Sequence, residues 1–86
     1  MMIKWVADSW EEYVSFQTDK AMLKRINRLI SEIRRSPFEG VGKPEALRHD
    51  LTGYWSRRID DANRLVYRIE NETVIIIQCK GHYRPH

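Results

Sequence analysis

Along this chain the spacing of apolar positions changes twice, and each change marks an element. Met2 to Ala7 (MIKWVA) is short and apolar apart from Lys4, which predicts a strand. Asp8-Ser9 interrupts it. Ser9 followed by Glu12 has the spacing of a capping box, in which the serine hydroxyl serves the amide three residues on and the glutamate reaches back. A first helix is expected there, with Trp10, Tyr13, Val14 and Gln17 on one side. Thr18-Asp19 offers a second N-cap. From Lys20 to Arg35, Met22, Leu23, Ile26, Leu29, Ile30 and Ile33 form the i, i+3/i+4, i+7 stripe of a core-facing helix, with Lys24, Arg25, Arg28, Arg34 and Arg35 elsewhere on it. Ser36-Pro37 stops that helix, because proline restricts the residue before it and cannot extend the ladder.

Beyond Pro37 the period shifts toward two. Phe38 to Pro44 (FEGVGKP) is a glycine- and proline-marked loop, and Glu45 to Leu51 (EALRHDL) is expected as a short strand closed by an Asp50-Leu51-Thr52-Gly53 turn. Tyr54 to Ile69 (YWSRRIDDANRLVYRI) reads as a β-hairpin around Asp-Asp-Ala-Asn. Side chains alternate faces along a strand, so Tyr54, Ser56 and Arg58 oppose Trp55, Arg57 and Ile59, and Arg64, Val66 and Arg68 oppose Leu65, Tyr67 and Ile69. Asn71 marks another turn, and the β-branched run Thr73 to Cys79 is expected as a buried strand. The order strand, helix, helix, strands predicts an α+β fold. The N-terminal strand and two helices would lie on one face of a largely antiparallel sheet, leaving Arg58 and Arg64 on the open face.

Composition narrows the class. A chain of 86 residues is read as a single domain, 1–86, and domains this small bury only about 60% of their unfolded surface. With 42% hydrophobic and 31% charged residues it belongs with globular rather than disordered chains. No apolar run approaches the roughly 20 residues of a membrane span, and MMIKWVADSW carries no signal-peptide core, so no membrane role is expected. The single cysteine, Cys79, rules out an internal disulfide and suits a reducing, cytoplasmic setting. A net charge of +3 changes the picture only through its placement: the hairpin strands carry guanidinium groups, with acids held to the turns.

Motifs for nucleotide or zinc binding (GxxxxGK[ST], GxGxxG, HExxH, CxxC) do not occur, so no metal or cofactor is expected. Cys79 with His82 and His86 lacks metal-ligand spacing, and Cys79 is read as a buried residue closing the last strand. What remains is a carboxylate after the Gly/Pro loop (Glu45), an arginine on the open face (Arg64) and a histidine past the last strand (His82). Each alone is an ordinary surface residue. Brought together they would suit metal-free RNA cleavage: a base for the 2′-hydroxyl, a cation for the phosphoryl oxygens and an acid for the departing 5′-oxygen.

The run PFEGVGKPEALRHDLTGYWSRRI, then NRLVY and CKGHY, resembles the YoeB toxins of the RelE/ParE superfamily over nearly the whole chain, including the SW…Y opening of the first helix. The resemblance implies a RelE-like fold and an mRNA endoribonuclease acting in the ribosomal A site to inhibit translation. It also implies a homodimer and neutralisation by a YefM-type antitoxin. By position, the family's catalytic residues fall on Glu45 as base, Arg64, His82 as acid, and Tyr83. Its RNA- or ribosome-contacting residues fall on Arg48 and Arg58, with Lys43 and Arg57 beside them.

The chain departs from the family pattern in two places. Ala62-Asn63 precedes Arg64 where an acidic residue and often a histidine stand in relatives, and Arg84-Pro85-His86 extends past the His-Tyr pair. Two other readings stay open. One is a ParE-like toxin that binds a topoisomerase without a nuclease site. The other is a non-catalytic RNA-binding module that represses translation by occupancy.

Overall fold

A computed structural model describes residues 1–82. Strand β1 (Met2–Trp5) leads into helix α1 (Ser9–Ser15) and helix α2 (Lys20–Arg35). Strand β2 (Glu45–Ala46), a 3-10 turn (His49–Leu51), and strands β3 (Trp55–Arg58), β4 (Arg64–Glu70) and β5 (Thr73–Gln78) follow. The strands form one sheet in the order β1-β5-β4-β3-β2. β1 runs parallel to β5, pairing Ile3 with Val74 and Trp5 with Ile76, and every other pair is antiparallel. This is the expected α+β arrangement with a largely antiparallel sheet, except that β1 joins the sheet as a parallel edge strand instead of lying on its face with the helices.

Helix α2 begins and ends where its pattern says. The Asp19 side chain accepts from the Met22 amide at 3.1 Å, and Ser36 caps the other end. Its buried stripe, Met22, Ile26, Leu29 and Ile33, packs on Ile59, Leu65, Tyr67, Val74, Ile76 and Cys79 from the sheet. Trp5, Trp10 and Tyr13 extend the packing at the other helix, with ring centroids 4.8–5.5 Å apart. The β4–β5 hairpin turns on Asn71 and Glu72, both with positive φ, as a two-residue type I′ turn requires.

Four expectations need correcting. The capping box does not form. Ser9 is fully buried and its hydroxyl lies 2.7 Å from the Val6 carbonyl and 2.9 Å from that of Ile76, while the Glu12 carboxylate accepts from the Cys79 amide at 2.9 Å. Both side chains tie α1 to β5 instead of to its own first turn. Nor is the strand at Glu45–Leu51 realised beyond Ala46, because His49 takes a positive φ and the chain winds into the 3-10 turn. Finally, the second sheet face is not bare. Leu47, Val66 and Ile75 are buried outside the helix-side cluster, and Leu51 borders one cleft with Ile77 and Gln78. Apolar side chains on the face away from the helices are thus out of water as well.

The fourth correction concerns Arg57, expected among the RNA contacts. Strand alternation turns it toward the helices, where it has no exposed surface. Its Nε donates to the Tyr67 hydroxyl at 3.0 Å, Nη1 to the Val41 carbonyl at 2.9 Å, and Nη2 to the carbonyls of Ser36 (2.6 Å) and Glu39 (3.0 Å). Tyr67 in turn donates to the Pro37 carbonyl at 2.6 Å. Burial pushes the Tyr67 phenol above its usual range, with Arg57 opposing. The guanidinium sits at the C-terminal end of α2, where the helix dipole favours a cation, and it fastens the 36–41 loop that leads to Glu45. Arg57→Ala should therefore destabilise the fold by roughly 3–5 kcal/mol in urea unfolding, since carbonyls and a phenol lose their partner in the interior. Arg57→Lys should recover little of it, because an ammonium cannot reproduce the planar fork. A loss below about 1 kcal/mol for Arg57→Ala would mean that the clamp is dispensable.

Candidate functional site

The site is built on the far face of β2, β3 and β4. Glu45 on β2 lies directly opposite Ser56 on β3, and Ser56 opposite Val66 on β4. Residues opposed across an antiparallel pair share a face, so Glu45 and Ser56 stand side by side. One step along, Arg58 faces Arg64. Ser56 is fully buried, and its hydroxyl accepts from Arg64 Nε at 2.6 Å. That bond holds Arg64 flat against the sheet and points it toward the row that carries Glu45. Among the described residues the Nη1 and Nη2 groups of Arg64 have no hydrogen-bond or carboxylate partner.

Arg58 is exposed and turned toward Asp61, with which it forms an ion pair. Two guanidinium groups directly opposite one another repel, and an anion between them would relieve that repulsion. Farther along the same face Arg68 is already engaged: it pairs with Glu70, and its guanidinium carbon lies 5.7 Å from the Tyr54 ring centre.

His82 reaches this region by way of Gly81. The Arg64 backbone amide donates to the Gly81 carbonyl at 2.9 Å, which ties the start of β4 to the chain beyond β5. The Gly81 amide donates to Asn63 Oδ1 at 2.8 Å, and Gln78 Nε2 donates to the His82 carbonyl at 2.9 Å. His82 itself is exposed and borders a cleft of about 300 Å³ with Glu12, Leu51, Ile77, Gln78, Lys80 and Gly81. Of the residues expected from sequence, Glu45, Arg58 and Arg64 share one face and His82 follows a residue bonded to Arg64. Arg48 and Lys43 are exposed on either side of β2. Arg57 points the other way. Tyr83 and the Arg84-Pro85-His86 tail lie outside the described residues.

Sequence reasoning passed over Ser56, Asn63 and Gln78. For Ser56 the signal was present, since strand parity puts it on the same face as Arg64. Asn63 was visible only as a departure next to Arg64. Nothing in the sequence pointed to Gln78.

Two groups near the site have shifted titrations. Burial acts on Asp60 to raise its carboxyl, but donation from the Ala62 and Asn63 amides and the Asn63 side chain, with Arg25 nearby, brings it below the usual carboxylate range. Cys79 has no exposed surface, and burial, followed by the Glu12 carboxylate, pushes its thiol up to about 12 against the opposing charge of Lys80. A thiol so placed is not a nucleophile at neutral pH.

A family model described as a YoeB-like toxin of the bacterial type II toxin-antitoxin system matches residues 5–83. The chain belongs to the YoeB toxin family. Toxin YoeB of Streptomyces coelicolor is 52% identical to it over 84 residues, 96% of this chain and 100% of that protein. A YoeB/ParE toxin from Agrobacterium tumefaciens superposes with a TM-score of 0.93 at 45% identity, covering 96% of this chain and 100% of that one. YoeB of Staphylococcus aureus, solved in a heterotetrameric complex with YefM, gives 0.89 at 45% identity over 96% of this chain and 98% of that one, and the same values hold for its dimer.

In this YoeB-family toxin Cys79 closes the core beneath the tail that carries His82. Its native thiol titrates higher than its usual value near 9. The folded state therefore keeps its full advantage below about pH 9 and loses it progressively as pH rises toward 12. At pH 8 iodoacetamide should label Cys79 only as fast as the protein opens, and denaturant should release rapid labelling. Prompt alkylation of the native protein at pH 8 would contradict this burial.

Proposed function

We propose that this toxin is a ribosome-dependent endoribonuclease that cuts mRNA in the A site by 2′-hydroxyl attack and so arrests translation. The carrying observation is the arrangement around Arg64. Its Nε is fixed by Ser56, which lies opposite Glu45, and its backbone amide is bonded to the residue before His82. Glu45 and Arg64 thus stand on one face of the sheet, and the segment that carries His82 is tied to Arg64 through the residue before it, which supports the reading.

In the proposed reaction Glu45 takes the proton of the ribose 2′-hydroxyl, whose oxygen attacks the adjacent phosphorus. The P–O5′ bond breaks, leaving a 2′,3′-cyclic phosphate. His82 gives its proton to the 5′-oxygen, and Arg64 offsets charge on the phosphoryl oxygens. Tyr83, outside the described residues, is proposed as a further site residue on its sequence position alone. The three side chains complete the proton and charge inventory, so the scheme calls for neither metal nor cofactor. DNA, which lacks the 2′-hydroxyl, is not a substrate.

A carboxylate is a weak base for a 2′-hydroxyl, and the exposed Glu45 and His82 have little around them to grip and bend a single strand. A ribosome presenting a splayed codon supplies that orientation, which can be worth about 7–11 kcal/mol. Arg58, Arg48 and Lys43 then hold mRNA and ribosomal RNA through their charge. Arg57 has no part in this contact. A YefM-type antitoxin and a homodimeric state are proposed on the strength of the S. aureus assemblies, and a cytoplasmic location follows from the ribosomal target.

No helix among the described residues is long and apolar enough to cross a membrane.

Primer extension on programmed ribosomes tests the reading. Arg64→Ala should lose about 10²–10³ in cleavage rate, as removal of one oxyanion donor does. Glu45→Gln and His82→Ala should each lose about 10²–10⁴, all with parental circular dichroism. Undiminished cutting by Arg64→Ala removes it from the mechanism. His82→Ala at full potency points to repression by occupancy, and inhibition of DNA supercoiling without cuts in mRNA points to a topoisomerase target.

A further inference from the structure

We infer that Asn63 is a positioning residue for His82, gripping the Gly81 amide so that the histidine is held beside Arg64. This rests on the proposed role of His82 as the acid. Every polar group of Asn63 is engaged. Its amide and Nδ2 donate to Asp60 Oδ1 at 2.8 and 3.0 Å, and its carbonyl accepts from the Ile59 and Asp60 amides at 3.0 and 3.2 Å. Those bonds close the β3–β4 turn. The fourth group, Oδ1, is not needed by the turn and points out of it to Gly81 N at 2.8 Å.

The orientation of the side-chain amide is fixed by its partners. The Asp60 carboxylate, ionised at neutral pH, only accepts, so it takes Nδ2. The Gly81 N–H only donates, so it takes Oδ1. The next residue completes the grip: Arg64 N donates to Gly81 O at 2.9 Å. Consecutive residues thus hold both polar groups of Gly81, and the second of them is the arginine of the proposed site. Gly81 has φ +77 with nothing within 4 Å of where a Cβ would lie, so the chain bends sharply there in open space. A bend without packing is held by its hydrogen bonds. Gln78 Nε2 also supports this segment, donating to the carbonyls of Lys80 (3.0 Å), Gly81 (3.3 Å) and His82 (2.9 Å), but it leaves the Gly81 amide to Asn63.

The measurement is cleavage at saturating toxin on programmed ribosomes, with ordinary mRNA and with mRNA carrying sulfur in place of the bridging 5′-oxygen at the cut. A thiolate departs without a proton, so the sulfur substrate bypasses the acid. Asn63→Ala should cut ordinary mRNA about a hundredfold more slowly, with half-saturation within about twofold of the parent. On the sulfur substrate it should come within about threefold of the parent, as should His82→Ala. Asn63→Asp keeps an acceptor for Gly81 but loses the donor to Asp60. A role confined to the turn makes Asp as damaging as Ala, whereas positioning of the tail leaves Asp within about fivefold of the parent on ordinary mRNA.

A parental rate for Asn63→Ala, or a defect that persists on the sulfur substrate, overturns the inference while a slow, sulfur-rescued His82→Ala leaves the acid in place. If His82→Ala cuts ordinary mRNA at the parental rate, the acid assignment itself fails and takes this inference with it. An Asn63→Asp variant as slow as Asn63→Ala also overturns it.

Discussion

A guanidinium with no exposed surface must find acceptors for its N–H groups inside the protein, and in this fold Arg57 finds them without a carboxylate. Three main-chain carbonyls of the 36–41 segment and the Tyr67 hydroxyl surround it. Removing a full charge from water is expensive, and several aligned dipoles at the end of α2 offset it. The consequence is geometric. With Arg57 committed inward, alternation sends Ser56 and Arg58 outward, and the register of β3 against β4 then sets Arg64 beside both. The same clamp fastens the loop that delivers Glu45. Arg58 N donates to the Gly42 carbonyl at 2.7 Å, and a Cβ on Gly42 would come within 2.9 Å of Leu29 Cδ2, so this loop is seated against both strand and helix.

The two halves of the proposed site are held by different physics. Ser56 and Arg64 stand on the β3–β4 ladder, whose reverse face is buried against α2, and Glu45 stands beside them on the exposed two-residue edge strand β2. His82 stands beyond the last strand, in a segment anchored by side-chain contacts from α1 (Glu12 to Cys79 N), the β3–β4 turn (Asn63) and β5 (Gln78). Ladder positions open only with the domain, whereas a tail fixed by a few exposed hydrogen bonds opens locally at lower free energy. The guanidinium is therefore preset, and the imidazole is the element whose placement depends on a handful of polar contacts.

How much of this could be read from the sequence follows the same division. Helix α2 was legible residue for residue, because a six-residue apolar stripe, an Asp19 cap and a Ser-Pro stop agree with one another. The hairpin and its two faces were legible from alternation. Alternation, however, says only which way Arg57 points and not whether acceptors await it there. Those acceptors are carbonyls of a loop whose path is decided by Gly40 and Gly42 at positive φ. Ser9 and Glu12 misled for a related reason: their spacing satisfies a local motif, but β5 offers partners 67 residues away in sequence, and the long-range pairing prevailed. The strand after Glu45 was overread because apolar Leu47 and Leu51 suit a strand, yet the positive φ of His49 winds the chain between them into a 3-10 turn.

The departure at Ala62-Asn63 illustrates why a site should be read from its hydrogen bonds as well as its motif. Judged by residue type alone, loss of an acidic neighbour leaves Arg64 without a counter-charge. In the structure Ser56 takes over the orienting of Nε with a neutral hydroxyl, so the guanidinium keeps its full charge toward the open face. A carboxylate in that place would hold Arg64 more strongly and also neutralise it, which works against stabilising an anionic phosphorane. With a serine as its rest and Arg58 as its neighbour, Arg64 has no carboxylate partner among the described residues. Its most favourable partner is then the phosphate that the proposed chemistry brings to it.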